Sequence, residues 1–225
     1  DCHPDTSGQA GVPLRYGPRN DNLFQKRFKR FLPKTLLTSD LKMYIPKYFR
    51  NDNIEEVKSF IEQNSFGILV SQADGKPWAT HIPLELGRNE NDRDALYGHI
   101  SKGNPQWKSF ADNSQVLAIF SGPHTYISSS WYDHENVPTW NYIAVHVYGI
   151  ARLVEGEKLL NSLKKLVDKY EATSVNPVSV EGMSENFLRR ETKGIVGFEI
   201  EIGEIQSAYK LSQNRDEKNH ASIVN

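Results

Sequence analysis

Cysteine is almost absent: Cys2 is the only one in 225 residues. A single thiol cannot close an internal disulfide or build a Cys-based metal site, so the expected compartment is a reducing one, the cytoplasm. Long apolar runs are missing too. None approaches the roughly 18 residues that span a bilayer, and the first residues lack the apolar stretch of a signal peptide. Neither sign of charge dominates. Lys and Arg total 27 against 28 Asp and Glu, which argues against a general polyanion binder, because non-specific nucleic-acid affinity comes from net phosphate neutralisation. The chain has no Gly-x-Ser-x-Gly elbow and no P-loop. It also lacks two short helices joined by a Gly turn and ending in a basic recognition face. What remains is a chain with 38% hydrophobic residues, enough for the core of one domain.

Residues 1–42 differ from the rest. Pro4, Gly8, Gly11, Pro13, Gly17 and Pro18 lie among polar residues. Lys26, Arg27, Lys29 and Arg30 then alternate with Phe24, Phe28 and Phe31. This composition predicts a disordered or non-native leader. The alternatives are a basic amphipathic arm touching nucleic acid or an anionic surface and a segment packed on the main domain. Met43 is the first methionine, and the folded domain is expected over 43–225.

Asp52 or Asn53 can cap a helix in which Ile54, Val57, Phe60 and Ile61 recur at helical spacing. A strand over Phe66 to Ser71 and a second over Trp78 to Leu86 flank Ala73-Asp74-Gly75-Lys76, a hairpin turn. Further strands are expected over Ala95 to Ile100, Gln115 to Phe120 and Trp140 to Leu153, with His124 to Ile127 extended. Gly194 to Lys210 reads as a strand pair or one long bent strand. Helices are expected over Pro105 to Asp112, Glu157 to Ala172 and Ser184 to Glu191. About six strands without βαβ alternation exclude a doubly wound nucleotide fold and favour an antiparallel barrel with helices outside.

Three segments could carry chemistry. The turn Ser101-Lys102-Gly103-Asn104-Pro105 joins a strand to a helix and offers a hydroxyl, a cation, an amide and free backbone N–H groups. It is either a phosphate cradle or an ordinary helix start. The strand Trp78 to Leu84 contains Pro83, which cannot donate to a ladder, so its backbone can meet a heterocycle edge, unless His81 is simply a satisfied barrel residue. The aromatics His124, Tyr126, Trp131, Tyr132, Trp140 and Tyr142 form either a wall beside a planar ligand, a dimer interface or core. Neither His124 with His134 nor His81 with His99 has a metal-ligand spacing, though His81 and His99 could be neighbours across strands and so leave a metal or haem open. Asp133 and Glu135 read as solvated charges beside His134. Lys158, Lys164, Lys165 and Lys169 form a stripe interrupted by Glu155, Glu157, Asp168 and Glu171, which reads as a solvated helix face.

From Met43 onward the chain resembles the PaiB family, described as FMN-binding negative transcriptional regulators. The resemblance rests on MYIPKYF at 43–49, WATHIPL at 78–84, GHISKGNPQW at 98–107, SGPHTYISSSWY at 121–132, VPTWNYIAVHVYG at 137–149, GIVGFEIEI at 194–202 and KLSQNR at 210–215. These segments occur in order over nearly all of 43–225. The resemblance implies a mostly β fold with some α: an antiparallel split β-barrel with flanking helices, related to pyridoxamine-phosphate oxidases. It also implies FMN bound at a homodimer interface. Carried over, Ser101 and Lys102 meet the phosphate, with Asn104 and Gln106 beside them. Thr80, His81 and Ile82 lie along the ring and ribityl chain. Trp140, Asn141 and the segment from Lys210 through Gln213 to Arg215 rim the pocket or come from the partner subunit. The family description implies a repressor, although no DNA-reading element stands out. The alternatives are an FMN-dependent oxidoreductase of unknown substrate and a haem-binding or haem-degrading split barrel with His81, His99 or His124 as axial ligand.

Overall fold

Asn53 starts the first regular element. Its side chain accepts a hydrogen bond from the Glu56 N–H at 3.3 Å, and Glu55 and Glu56 sit at the positive end of the helix dipole. Helix α1, Ile54–Gln63, follows and buries Val57 and Ile61. The computed structural model describes residues 42–73, 75–110 and 114–224. The expected leader therefore lies outside the described residues up to Leu41, as do Asp74 of the expected hairpin turn and the end of the helix expected to reach Asp112.

Strands β1, Phe66–Ala73, and β2, Lys76–Pro83, pair as a hairpin in which Ala73 faces Lys76. Gly75, at φ 75°, supplies the left-handed backbone that so tight a connection needs. The other strands are β3, Glu85–Arg88; β4, Asp94–Ser101; β5, Gln115–Ile127; β6, Thr139–Val154; and β7, Ile195–Lys210. Helices α2, Gly156–Glu171, α3, Glu185–Thr192, and α4, Glu217–Val224, flank them.

Every ladder is antiparallel, and the strand order is β2-β1-β5-β6-β7-β4-β3. The two margins, β2 and β3, are separated in the chain by Leu84 alone. Strands joined by one residue cannot sit at opposite margins of a flat sheet, so the sheet rolls until its margins meet. Leu84 is fully buried at that corner, and its N–H donates to the Ser65 carbonyl at 2.8 Å. Among the described strands no ladder joins β2 to β4 across the seam. The result is an antiparallel split β-barrel.

Inside, Leu69, Ala118, Phe120, Val145, Val147, Phe198 and Ile200 pack with Val57 and Ile61 of α1. Each large aliphatic or aromatic side chain so buried contributes about 1.5–3 kcal/mol. Helix α2 fastens the outside of the corner. Lys169 Nζ donates to the Glu62 carbonyl at 2.8 Å and to the Glu85 carboxylate at 2.6 Å, and the Tyr170 hydroxyl lies 2.6 Å from Ser65 Oγ.

The structure departs from expectation in four places. There are seven strands, because the expected strand over 78–86 changes ladder partner at Leu84. The helix after Pro105 is a 3-10 helix, Pro105–Phe110. Gln115–Ile127 is one strand with a register shift between Ser121 and His124. Of the two forms expected over Gly194 to Lys210, the structure takes the single long strand, Ile195–Lys210. Helix α4 was not expected; the Asp216 carboxylate starts it by accepting from the Asn219 N–H at 2.9 Å.

Candidate functional site

Side chains stitch the seam between β2 and β4. Beyond Ser101 the chain turns through Lys102 and Gly103, and the turn is closed by its own backbone. The Asn104 N–H donates to the Ser101 carbonyl at 2.9 Å, and the Gly103 N–H donates to Ser101 Oγ at 3.2 Å. The Lys102 N–H donates to the Gly194 carbonyl at 2.8 Å, tying the turn to the start of β7. From the turn, Asn104 Nδ2 donates to Thr80 Oγ1 at 2.9 Å, and the Thr80 hydroxyl donates to Gln106 Oε1 at 2.6 Å. Gln106 is completely buried. Its Nε2 donates to the Leu69 carbonyl, Ser71 Oγ and the Trp78 carbonyl at 3.1, 3.2 and 3.3 Å.

These bonds fix the turn against β2 and leave Ser101 and Lys102 exposed at the mouth of the seam. His81 is exposed on β2, Thr80 is half-buried beneath the turn, and Ile82 points into the core. Strand β2 pairs with β1 alone, so its other margin carries backbone N–H and C=O groups without a ladder partner. A heterocycle on a phosphate arm fits this arrangement. The free margin offers hydrogen bonds to a polar ring edge, and Lys102 with the Ser101 hydroxyl offers charge-assisted contacts to a dianion.

The remaining predicted residues form a second group, at the start of β6 and the end of β7. Trp140 is half-exposed and packs its ring 6.1 Å from His124 and 5.8 Å from Tyr126. Asn141 is buried, and its Oδ1 accepts from the Ser212 hydroxyl at 2.9 Å. Lys210 bonds Thr139 Oγ1. Gln213 Nε2 donates to the Tyr48 carbonyl at 3.0 Å, which ties this segment to the chain before α1. The Arg215 guanidinium lies 4.9 Å from the centre of the Tyr132 ring. Ladder partners put Thr80, Leu69, Ala118 and Val147 in one row across the sheet. Trp140 lies seven residues from Val147 along β6, roughly 20 Å at the rise of a strand. The two groups thus stand at different levels of the sheet within one chain.

The aromatic cluster is largely surface. Tyr132 is core, whereas Tyr126, Trp131, Trp140 and Tyr142 are exposed. His81 faces Ile68 and His99 faces Gly197, so these two histidines are not ladder partners. Burial holds His99 below the ordinary histidine value, and it does the same to His146. Among the described residues no group of three metal-ligating side chains converges. Asp133 accepts from the Lys218 ammonium at 2.8 Å and from Asn219 Nδ2 at 3.0 Å, and hydrogen bonding holds its carboxyl far below the usual range. It latches the loop to α4. Among the lysines of α2, Lys158 pairs with Glu199, Lys164 with Asp168 and Lys169 with Glu85.

Sequence reasoning missed Arg189 and Lys193. Both line a cleft with Lys102. Their run with Arg190 just before β7 was a visible signal.

A family model described as "Putative FMN-binding domain" matches residues 43–204. "Protease synthase and sporulation protein PAI 2" of Bacillus subtilis is 50% identical over 182 residues, spanning 81% of this chain and 87% of that protein. Two solved structures share the fold. The flavocytochrome Anf3 of Azotobacter vinelandii has a TM-score of 0.55 at 20% identity, covering 81% of this chain and 80% of its own. The FAD and heme binding protein of Mycobacterium smegmatis has a TM-score of 0.54 at 14% identity, covering 77% and 78%.

Proposed function

The chain belongs to the FMN-binding domain family, as a protein of the PaiB type, with FMN as its cofactor, and on that premise we propose that it works as a homodimeric flavoprotein with each FMN held between two copies. The observation that carries this reading is the separation of the two residue groups. The row of Thr80 on β2 meets β6 seven residues from Trp140, an offset of roughly 20 Å along the strand direction within one copy. A second copy can bring its own Trp140 and Arg215 to a flavin lying along the free margin of β2. The half-exposed face bearing Tyr126, Trp140 and Tyr142 provides aromatic surface of the kind that interfaces bury.

In this reading Lys102 and the Ser101 hydroxyl hold the phosphate. The backbone of Thr80, His81 and Ile82 meets the ring edge. Gln106, Asn104 and Thr80 act by holding the turn at the right distance from β2. Gln213 and Asn141 do the same for the 210–215 segment, because their amide groups are engaged inside the chain. When bound, FMN supplies the electron and hydride chemistry. The compartment in this reading is the cytoplasm, in keeping with the single cysteine.

The test is the visible spectrum of the purified chain together with its mass by light scattering. A flavin spectrum that persists through gel filtration and bleaches reversibly with a reductant, on a particle of twice the chain mass, is expected. A monomer that retains FMN would defeat the shared-site geometry. A protein that retains none would defeat the cofactor assignment.

A second reading, control of gene expression, is favoured by the 50% identity to a protein named for protease synthesis and sporulation. It requires a DNA-contacting surface other than α2, where Lys158, Lys164 and Lys169 already serve carboxylates. A mobility-shift titration with duplex DNA at two salt concentrations checks it. Absence of any shift at low salt would remove direct DNA contact from this reading.

A further inference from the structure

A cleft of about 440 Å³ opens beside the Ser101–Asn104 turn, and none of the residues lining it comes from β2. Its volume lies in the range of small-molecule sites. Three cations line it: Lys102 from the turn, Arg189 from α3, and Lys193 just beyond α3. Glu155 is the single carboxylate residue in the lining, so the cations outnumber it by two. Among the described residues Lys102 and Lys193 have no ion-pair partner. Arg189 reaches only Glu185, at 4.0 Å, with both side chains largely exposed. Such a pair is worth little, and Arg189 can turn to a ligand at small cost.

Apart from Thr192, whose hydroxyl donates to the Leu188 carbonyl at 2.7 Å, the rest of the lining is apolar or glycine. Leu153 and Leu160 are each more than a third exposed there. Trp107 forms part of the wall. Its ring is held by a hydrogen bond from Nε1 to the Lys102 carbonyl at 3.1 Å, so it can receive a flat group without reordering. Convergent cations next to an apolar floor and a fixed indole match one kind of ligand, a multiply charged anion on a flat or apolar body. A simple inorganic anion would leave the floor wet. An uncharged aromatic would leave the cations idle. A monocarboxylate would underuse Arg189 and Lys193, the two cations that the flavin assignment leaves free.

We infer that this cleft is a second ligand site, distinct from the flavin's, which takes an organic phosphate of mononucleotide size. The phosphate sits on Arg189 and Lys193, and the flat body lies against Trp107 and Leu160. Lys102 stands at the lip shared with the turn to which the flavin phosphate is assigned, so the two ligands are close neighbours. The site does not depend on the flavin assignment, because Arg189 and Lys193 have no part in that assignment.

The experiment titrates the FMN-loaded full chain with AMP, adenosine and inorganic phosphate by calorimetry, while the flavin absorbance reports FMN retention. AMP is expected to bind at least about tenfold more tightly than adenosine or inorganic phosphate, because neither part alone uses both halves of the cleft. The double variant Arg189→Ala, Lys193→Ala should weaken AMP at least about tenfold and leave FMN retention and the melting temperature unchanged. Lys165→Ala, outside the cleft, should change neither ligand. The proposal is overturned if AMP binds no better than adenosine, or if the double variant keeps the parental AMP affinity. It is also overturned if that variant sheds FMN, which would make the cleft the flavin's own phosphate seat. A parental chain that holds no FMN but still binds AMP as described would defeat the flavin reading and leave the cleft standing.

Discussion

At the scale of the residue, the proposed site separates groups free to meet a ligand from groups that hold those groups in place. Lys102 and Gln106 are four positions apart and represent the two kinds. Lys102 is exposed, and its ammonium serves no carboxylate among the described residues. Gln106 is completely buried, and its amide supplies the Leu69 and Trp78 carbonyls and accepts from Thr80. Lys102→Ala should therefore weaken FMN by about 1.5–3 kcal/mol, the size of a hydrogen bond to a charged group, with no change in the urea midpoint. Gln106→Leu should cost about 1–3 kcal/mol of folding stability, because buried carbonyls lose their donor. FMN affinity should fall with it as the turn loosens. Flavin fluorescence quenching and urea unfolding on both variants separate the roles. Equal effects of the two substitutions on stability would show that the distinction is wrong. The sequence offered both residues as ligand candidates. It could not tell them apart, because burial and hydrogen-bond direction are set by β1 and β2, far away in the chain.

At the scale of the element, most of the fold was legible. The Asn53 cap and the apolar spacing in α1 are local signals, and the structure follows them. The split at Leu84 was hidden for a physical reason. Ile82 and Leu84 are two residues apart and both buried, so the inward-outward alternation runs through the corner unbroken while the ladder partner changes. Only the partner strands reveal that two elements lie there. Gly203 hid the continuity of β7 in a similar way. It lies between Ile202 and Glu204 at the register shift opposite Tyr148 and Gly149, where the strand bulges without ending. That bulge explains why Gly149 is glycine. A Cβ added there would lie 2.4 Å from the Glu201 carbonyl oxygen, a backbone atom that cannot swing aside. Gly149→Ala should destabilise the chain by about 1–3 kcal/mol, the usual cost of overpacking, as read from the urea midpoint. A neutral result would mean that the β6–β7 bulge relaxes, and the fixed register described above would have to be given up.

At the scale of the whole molecule, near-neutral net charge leaves little global repulsion to drive acid unfolding, so sensitivity to mild acid has to come from particular groups. Two histidines supply it. His99 on β4 and His146 on β6 are partly buried, and burial holds both below their ordinary value of 6.5. The Nδ1 of His146 has no hydrogen-bond partner among the described residues. The ladder neighbours of His146 in its row are Ile119 on β5 and the buried Gln206 on β7. A group whose folded value is depressed binds its proton more readily in the unfolded chain. The stability it preserves is present above pH 6.5 and is lost as the pH falls through the lower folded values. Each histidine can impose a slope of at most about 1.4 kcal/mol per pH unit in that window, and the carboxylates titrate mostly below it. Urea midpoints measured from pH 7 downward should therefore fall in the parent and fall less steeply in His99→Gln, His146→Gln. If the second copy covers this part of the sheet, His146 is further desolvated in the dimer. The slope at high protein concentration should then exceed that at dilutions where the dimer has dissociated. A slope independent of concentration would place His146 outside the interface, and the contact between copies would have to lie on the Tyr126, Trp140 and Tyr142 end of the sheet instead.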